Sequence, residues 1–351
     1  MTPLQEYHHR HAQHFVDLHG HAIPLHYTTP QAELQAARRA AVLDTSFCGK
    51  LRVTGKDREV LLHRLTTNEM RNLQPGETRV NVFTNAKGRV VDRVEMLAEE
   101  QSYLLLASPG RAETLLKWIE KYTFLEDVKS FDLTPDLGIF SLFGKESDAQ
   151  LERAWGVRLR EISAGHFSKV SWQDKEIMLH RPEAANPARF NLILPSTEAP
   201  ALWQLLVSHF APMGFAAYET LRILQGIPAA GHEIVEEHNP HEIGLHPFID
   251  FDKGCYIGQE VIARLDSYQK VQRQLTGVKC AAEARLLENC PLWHQEQEIG
   301  KITSVASSPE GRGAIALAVI RKAWAQPHAL VTIRGEHESF PAELVELPFA
   351  E

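Results

Sequence analysis

The sequence has few of the features that mark secreted or membrane-inserted chains. It contains four cysteines and no Cys-x-x-Cys pair: Cys48, Cys255, Cys280 and Cys290. This sparse spacing argues against a disulfide framework and against a compact zinc site. The longest apolar run, residues 313–320, is far too short to span a bilayer, and residues 1–11 lack the apolar stretch of a signal peptide. We therefore expect a reducing, cytoplasmic location, no export and no membrane insertion.

The sequence also lacks a positive charge excess and phosphate-binding loops. Its formal net charge is -8 and its pI is about 6.1, which disfavours broad binding to a nucleic-acid backbone but leaves small anionic ligands open. It contains no P-loop, no dinucleotide-binding glycine loop and no Gly-x-Ser-x-Gly elbow. These absences argue against nucleotide hydrolases of the P-loop class, Rossmann dehydrogenases and α/β-hydrolases.

What the sequence does contain predicts a multi-part α+β protein. With 351 residues, 44% of them hydrophobic, the chain can bury a sizeable core and suggests two or three packed units. Helical and strand-like segments alternate up to about Gln272, and short strands divided by Gly, Pro and Ser follow. We predict α+β lobes in residues 1–271 and a β-barrel in residues 272–351.

Hydrophobic spacing predicts the local elements. Helices are expected at about residues 4–19, 31–42 and 217–224. Two strands, residues 79–84 and 89–97, flank a four-residue loop of the kind that closes a β-hairpin.

Asp92 is the first candidate site residue. Strand alternation places it with Val90, Val94 and Met96, while Arg93 and Glu95 fall on the opposite, wetter face. A carboxylate on an apolar face needs a hydrogen-bond donor, which either the fold or a bound ligand can supply. Both readings stay open at this point.

Arg222 is the second candidate. It lies in the last turn of the predicted helix 217–224, where a cation complements the helix dipole. Its planar guanidinium also suits a ligand carboxylate. Position alone does not separate helix stabilisation from ligand binding.

Cys255 has the richest local setting of the four cysteines. Lys253 lies two residues before it, Gly254 and Gly258 permit tight turns, and a helix is expected to begin near Gln259. A nearby ammonium and a helix N-terminus both favour the thiolate, so Cys255 could serve as a nucleophile, a metal ligand or a redox group. A buried turn cysteine is the alternative.

The histidines predict no metal site. Four of them crowd the N-terminal helix and are expected on a solvated face: His8, His9, His11 and His14. His241 and His246 flank a glutamate, but they are five residues apart rather than four, and Gly244 opposes a helix. We therefore expect no zinc-protease helix.

Several of these segments together resemble the family of the glycine-cleavage T-protein, an aminomethyltransferase, over nearly the whole chain. Residues 16–27 are similar to an N-terminal segment of that family, with His21 in place of its tryptophan. Residues 84–92 resemble its hairpin, in which a carboxylate meets the folate. Residues 219–228 resemble its second signature, whose arginine helps to hold folate.

This resemblance implies a three-lobed, aminomethyltransferase-like folate-binding fold. It implies tetrahydrofolate or another folate form as the ligand, with Asp92 and Arg222 as contacts. The family's Tyr-Thr-Gly-Glu-Asp-Gly segment, which carries a folate-contacting glutamate, has no match in residues 183–191. That departure argues against aminomethyl transfer.

The segment KGCYIGQE, from Lys253 to Glu260, resembles the hallmark of the YgfZ-type branch of this family. The resemblance implies a folate-binding accessory protein that supports the assembly or repair of iron–sulfur clusters in client proteins, including tRNA-modifying enzymes. Cys255, with Lys253 nearby, would be its reactive group. The alternatives are a true aminomethyltransferase and a non-catalytic scaffold on the same fold.

Overall fold

The computed structural model describes residues 3–183, 190–281, 288–335 and 338–349. The chain forms two compact units. The first consists of Met1–Asn81 and Arg93–Tyr218, and the second of Val82–Asp92 and Glu219–Glu351. Across the described ranges, no helix is both long and apolar enough to cross a bilayer.

The α-helices are short, as expected for helices that are stabilised by packing rather than by length. In chain order they are α1 Pro3–His11, α2 Pro30–Ala37, α3 Arg58–Leu65, α4 Ala112–Lys121, α5 Ser147–Trp155, α6 Ala199–Val207, α7 Phe215–Leu224 and α8 Gln259–Ser267. Local sequence sets their ends. Thr29 accepts a hydrogen bond from the backbone N–H of Ala32 and Pro30 opens α2, while Gly156 ends α5 with a φ of 76°.

The first unit contains a five-stranded sheet, a six-stranded sheet in which β13 runs parallel to β3, and a small hairpin. Its strands are β1 His14–Leu18, β2 His21–His26, β3 Ala41–Asp44, β4 Cys48–Thr54, β5 Thr78–Thr84, β6 Val90–Ala98, β7 Ser102–Pro109, β8 Lys129–Asp132, β9 Leu137–Phe143, β10 His166–Trp172, β11 Lys175–Arg181, β12 Phe190–Pro195 and β13 Ala211–Pro212. One sheet has the order β5-β6-β7-β4-β8 and the other β10-β11-β12-β9-β3-β13, while β1 pairs with β2. The hairpin end of β5 and β6, residues 82–92, belongs to the second unit.

The core of the first unit lies between α6 and the six-stranded sheet. Trp203 is fully buried and packs against Phe140, with their ring centroids 5.1 Å apart. Leu192 and Leu202 belong to the same buried cluster. Burial of large apolar side chains on this scale supplies most of the driving force for folding.

The second unit ends in a closed six-stranded barrel. Its strands are β14 Arg273–Cys280, β15 Pro291–His294, β16 Gln297–Ser307, β17 Ala314–Arg321, β18 Leu330–Arg334 and β19 Ser339–Val345. They follow the order β14-β17-β16-β15-β18-β19, and β19 pairs with β14 to close the barrel. The predicted boundary between residues 271 and 272 stays a prediction, and the first barrel strand begins at Arg273.

Two predicted helices are too long. The helix expected at residues 4–19 ends at His11, and β1 begins at His14. Phe15 and Val16 favour a strand, and the chain turns at His19 and Gly20, which both have positive φ. The expected helix at residues 31–42 ends at Ala37, before β3. The hairpin at residues 79–97, the helix at residues 217–224 and the C-terminal β-barrel are confirmed.

Candidate functional site

The tip of the β5–β6 hairpin has a defined shape. The backbone N–H of Gly88 donates to the carbonyl of Asn85 at 2.8 Å, and the N–H of Asn85 donates to the carbonyl of Arg89 at 2.9 Å. The Asn85 side chain accepts from the N–H groups of Lys87 and Arg89, while Gly88 has a φ of +66°. Asparagine and glycine are the residue types that such a turn requires.

The hairpin tip is fastened to the chain segment that precedes the cysteine motif. The N–H of Val90 donates to the carbonyl of His238 at 3.0 Å. Arg89 donates to the carbonyl of Glu237 at 2.8 Å and lies 3.5 Å from the carboxylate of Glu242. Glu242 is almost fully buried. These contacts fix the hairpin tip to the chain segment that leads toward the cysteine motif.

The cysteine motif, residues 253–260, leads from a tight turn into α8. The side chain of Asp250 accepts hydrogen bonds from the backbone N–H groups of Asp252 and Lys253, at 2.9 and 3.1 Å. Tyr256 is buried beside Ile249 and Ile262, and burial raises its pKa above the ordinary tyrosine value. The phenol therefore stays protonated near neutral pH.

Cys255 is exposed, whereas its neighbour Lys253 is buried. The Lys253 ammonium lies 5.2 Å from the centroid of the Tyr256 ring, within the range of a cation–π contact. The Lys253 side chain is thus held against the Tyr256 ring instead of extending into solvent. The thiol is left accessible to a ligand or a partner.

Gly258 joins the motif to the hairpin tip. It has a φ of +85° and lies directly before α8. A Cβ atom at this position would lie 2.5 Å from the carbonyl oxygen of Asn85 and 3.0 Å from the Cα of Gly88. Thr84 also donates from its hydroxyl to the carbonyl of Ile257 at 2.6 Å. The backbone of the motif therefore packs directly on the tip of the hairpin.

Substitution of Gly258 tests this contact. We expect Gly258→Ala to lower the free energy of unfolding by about 2–5 kcal/mol, since left-handed backbone costs alanine about 1–2 and the close contact about 1–3. Gly231→Ala is the matched control, because Gly231 has a φ of +84° in the same unit and no atom within 4 Å of the added Cβ. Urea unfolding of both variants measures the difference. Equal losses would show that the contact with Asn85 contributes nothing.

Asp92 is completely buried in β6, two residues beyond the hairpin contact at Val90. The predicted alternation of β6 is correct for Val90, Val94 and Met96, which are also buried. The alternation is wrong for Glu95, for which it predicts a solvent-exposed face. Glu95 is buried because its carboxylate pairs with His180 Nε2 at 3.0 Å. A folate group could contact the Asp92 carboxylate only after a local opening of its surroundings.

The Glu95–His180 pair predicts a pH dependence of stability. Burial disfavours the ionised carboxylate, but the charge and hydrogen bond of His180 outweigh it, so the pKa of Glu95 lies below its ordinary value. A lowered pKa in the folded state gives stability that is present above the unfolded pKa of about 4.3 and declines as pH falls below it. Urea unfolding at several acidic pH values should show this decline in wild type, and Glu95→Gln should reduce it. The same decline in both proteins would contradict this assignment.

Arg222 is buried at the end of α7 and lies at the centre of a hydrogen-bond network. Its Nε and Nη2 donate to the two oxygens of Glu219 at 2.9 and 2.6 Å. Its Nη1 donates to the carbonyl of Ile227 at 2.7 Å and lies 3.4 Å from Glu233, and Nη2 also donates to Ser304 at 2.9 Å. These contacts engage all five N–H donors of a guanidinium. A folate carboxylate would have to replace one of these acceptors.

Two partners of Arg222 were not identified from the sequence. Glu233 is fully buried. Its carboxylate accepts hydrogen bonds from the hydroxyl of Ser304 at 2.7 Å and from the backbone N–H of Ala229 at 3.0 Å, in addition to the Arg222 contact. Ser304 lies on barrel strand β16, far from Arg222 in sequence. No local pattern marks either residue, because the contacts connect distant parts of the chain.

The remaining candidate histidines occupy different environments. His8 was expected on a solvated face, but it is buried and hydrogen-bonded to Asp44 and Tyr27. His241 lies in a turn and His246 begins a short 3-10 helix, with their ring centroids 5.3 Å apart. His241 donates to the carbonyl of Ile262 in α8 at 3.2 Å. The segment before the motif is therefore tied to the motif helix as well as to the hairpin.

The absent glutamate segment lies mostly outside the described residues. The sequence offered no match for it in residues 183–191, of which the structure describes 183, 190 and 191. Asn191, at the start of β12, is buried and accepts a hydrogen bond from Ser141 at 2.7 Å. The described part of this segment therefore contributes a buried amide to the first unit.

Comparison with known proteins identifies two family regions. Residues 4–253 match the GCVT N-terminal domain, and residues 273–351 match the glycine cleavage T-protein C-terminal barrel domain. Residues 254–272, which include Cys255 and α8, lie between the two matches.

Curated relatives cover most of the chain. A chloroplastic protein of Arabidopsis thaliana, provisionally named as a transferase, is 30% identical over 86% of this chain and 70% of its own length. The aminomethyltransferase of Chlorobium limicola is 28% identical over 95% of both chains. That of Caldanaerobacter subterraneus is 26% identical over 99% of this chain and 95% of its own.

A solved structure has the same fold. The aminomethyltransferase T of the glycine cleavage system from Bartonella henselae superposes with a TM-score of 0.89, covering 99% of this chain and 97% of its own at 23% identity. The predicted α+β, aminomethyltransferase-like fold with a C-terminal barrel is thereby confirmed. The chain belongs to the glycine-cleavage T-protein family.

Proposed function

We propose that this protein is a YgfZ-type member of the family, a tetrahydrofolate-binding accessory protein that supports iron–sulfur cluster assembly or repair in client enzymes. Its clients would include tRNA-modifying enzymes, and it would act in the cytoplasm, without direct binding to bulk nucleic acid. The observation that carries the proposal is the packing of the KGCYIGQE motif on the hairpin that holds Asp92. This packing leaves Cys255 exposed beside a fixed lysine.

The folate part of the proposal depends on the hairpin. The carboxyl oxygens of Asp92 can accept hydrogen bonds from the N–H groups of a reduced pterin, which makes the chemistry of this side chain suitable for folate. Because Asp92 is completely buried, we propose that folate binding shifts the hairpin tip and that the close packing of Gly258 on Asn85 couples this shift to the motif. In this proposal Arg222 shapes the folate site, and it contacts the ligand only by exchanging one of its present acceptors.

The iron–sulfur part depends on Cys255. Its thiol is accessible, lies just before the N-terminus of α8 and has the Lys253 ammonium on the same short segment. We propose that this thiol contacts an iron–sulfur protein, a cluster fragment or a reactive adduct of a client.

The second candidate is glycine-cleavage aminomethyl transfer. It is favoured by the relatives named aminomethyltransferase, which match this chain over almost their whole length. In that reaction the lipoyl-bound aminomethyl group gives its one-carbon unit to tetrahydrofolate and releases ammonia. A non-catalytic scaffold is the third candidate and would need neither folate nor Cys255.

Two parallel assays separate the iron–sulfur accessory function from aminomethyl transfer. Cells that lack this protein are tested for the activity of an iron–sulfur tRNA-modifying enzyme, with and without the wild-type gene. The purified protein is given an aminomethyl-lipoylated carrier and tetrahydrofolate, and ammonia is measured. We expect rescue in cells and no ammonia above the protein-free control. Ammonia release without rescue would establish the second candidate.

A further inference from the structure

The first unit contains a pocket that the proposed function does not use. It has a volume of about 440 Å³, within the range of small-molecule sites in proteins. Its apolar wall includes four buried residues: Leu4 of α1, Ile23 of β2, Ala199 of α6, and Phe47, which lies between β3 and β4. None of the folate or iron–sulfur candidates lines it.

One corner of this pocket is polar and built from buried groups. His8, which is 4% exposed, lies 3.0 Å from Asp44 through Nε2 and 2.7 Å from the hydroxyl of Tyr27 through Nδ1. The backbone N–H of Ser46 donates to the other oxygen of Asp44 at 3.0 Å. His8, Asp44 and Ser46 all line the pocket.

The protonation pattern of this corner follows from its hydrogen bonds. Burial raises the pKa of Tyr27, so its hydroxyl keeps its proton and donates to His8 Nδ1. His8 then donates from Nε2 to Asp44. Burial opposes ionisation of Asp44, but the hydrogen bonds from His8 and Ser46 outweigh it and hold its pKa below the ordinary aspartate value. Asp44 is therefore a carboxylate, and its side chain retains 16% exposure.

The charges around the pocket favour a cation. Asp132 adds a second carboxylate at the lining, and no lysine or arginine occurs among the described residues that line it. His8 is occupied by Tyr27 and Asp44. The lining thus offers an apolar wall and two carboxylates. The nearest buried cation is Lys50, which lies behind the lining: its ammonium donates to the carbonyl of Ser46 at 2.6 Å, and burial lowers its pKa.

We propose that this pocket binds a small apolar molecule with a cationic amine head. The ammonium pairs with Asp44, and the hydrocarbon part packs against Leu4, Ile23 and Phe47. An ammonium–carboxylate hydrogen bond in a largely apolar pocket is stronger than a neutral one, which gives the site its selectivity.

Three monosubstituted benzenes of similar size test this proposal with the full-length protein. Benzylamine carries the cation, benzyl alcohol is neutral and benzoate is an anion. We expect saturable benzylamine binding to wild type by titration calorimetry, weaker binding of benzyl alcohol and no binding of benzoate. Asp44→Asn, which keeps the shape of the side chain, should weaken benzylamine about tenfold or more, the loss expected for a charge-assisted hydrogen bond.

A second variant keeps the test independent of the polar network. Ala22 is exposed at the pocket lining, so Ala22→Phe should fill the pocket without disturbing the core and abolish benzylamine binding. Ala201→Phe on the exposed face of α6, away from the lining, is its control and should bind as wild type does. The proposal is overturned if benzylamine does not bind wild type, if benzoate binds as well, or if Ala22→Phe leaves binding unchanged.

Discussion

Cells that lack this protein and express Cys255→Ser are expected to recover little or none of the iron–sulfur enzyme activity that the wild-type gene restores. Serine keeps the approximate size and the hydrogen-bonding capacity of the side chain but lacks the sulfur that could attack a partner or bind a metal. Because Cys255 is exposed, the substitution should change the free energy of unfolding by no more than about 0.5 kcal/mol. Client activity in cell extracts, with the variant's abundance measured alongside, tests the expectation.

Cys290→Ser provides the matched control for this experiment. Cys290 is a partly exposed free cysteine that belongs to the barrel region and not to the motif. It should restore client activity as wild type does. Full rescue by Cys255→Ser at normal abundance would show that the thiol of the motif has no role in the function.

Arg222→Met is expected to lower the free energy of unfolding by about 3–5 kcal/mol, the usual cost of removing one member of a buried ion pair. The loss is large because the fully buried Glu233 would lose the guanidinium beside it, and because Ser304 and the carbonyl of Ile227 would lose a donor. Methionine preserves most of the aliphatic volume, so packing changes contribute little. Urea unfolding followed by circular dichroism measures the difference.

The Arg264→Met variant distinguishes the effect of the buried hydrogen bonds of Arg222 from that of a cation near a helix C-terminus. Arg264 lies in the last turn of α8, as Arg222 lies in the last turn of α7, but its side chain is exposed. A cation at an exposed helix end contributes about 0.3–1 kcal/mol, so this variant should lose no more than that. Similar losses in the two variants would mean that the buried hydrogen bonds of Arg222 add nothing.

Local patterns in the sequence were sufficient to predict the hairpin and the motif helix. Asn85 and Gly88 prescribe a tight turn, and Gly258 marks the point where the chain enters α8. The sequence did not predict that these two turns touch. That contact depends on atoms from residues 85 and 258, and a backbone carbonyl beside a glycine leaves no periodic signal.

The wrong predictions for His8 and Glu95 have the same physical cause. His8 was placed on a solvated face because its neighbours along α1 are polar, yet the chain supplies Asp44 and Tyr27 from distant positions and buries it. Glu95 was assigned to a wet face by strand alternation, and His180 supplies its buried partner. Polar residues are buried when a distant partner satisfies them, and single-sequence periodicity contains no information about that partner.

A calorimetric titration of tetrahydrofolate, under anaerobic conditions, into wild type and Asp92→Asn tests whether the protein binds folate through Asp92. We expect saturable binding of one folate per chain to wild type. Binding to Asp92→Asn should be roughly ten- to hundredfold weaker, the loss expected when a carboxyl acceptor becomes an amide. Absence of folate binding to wild type, or equal affinity in both proteins, would contradict Asp92 as a folate contact.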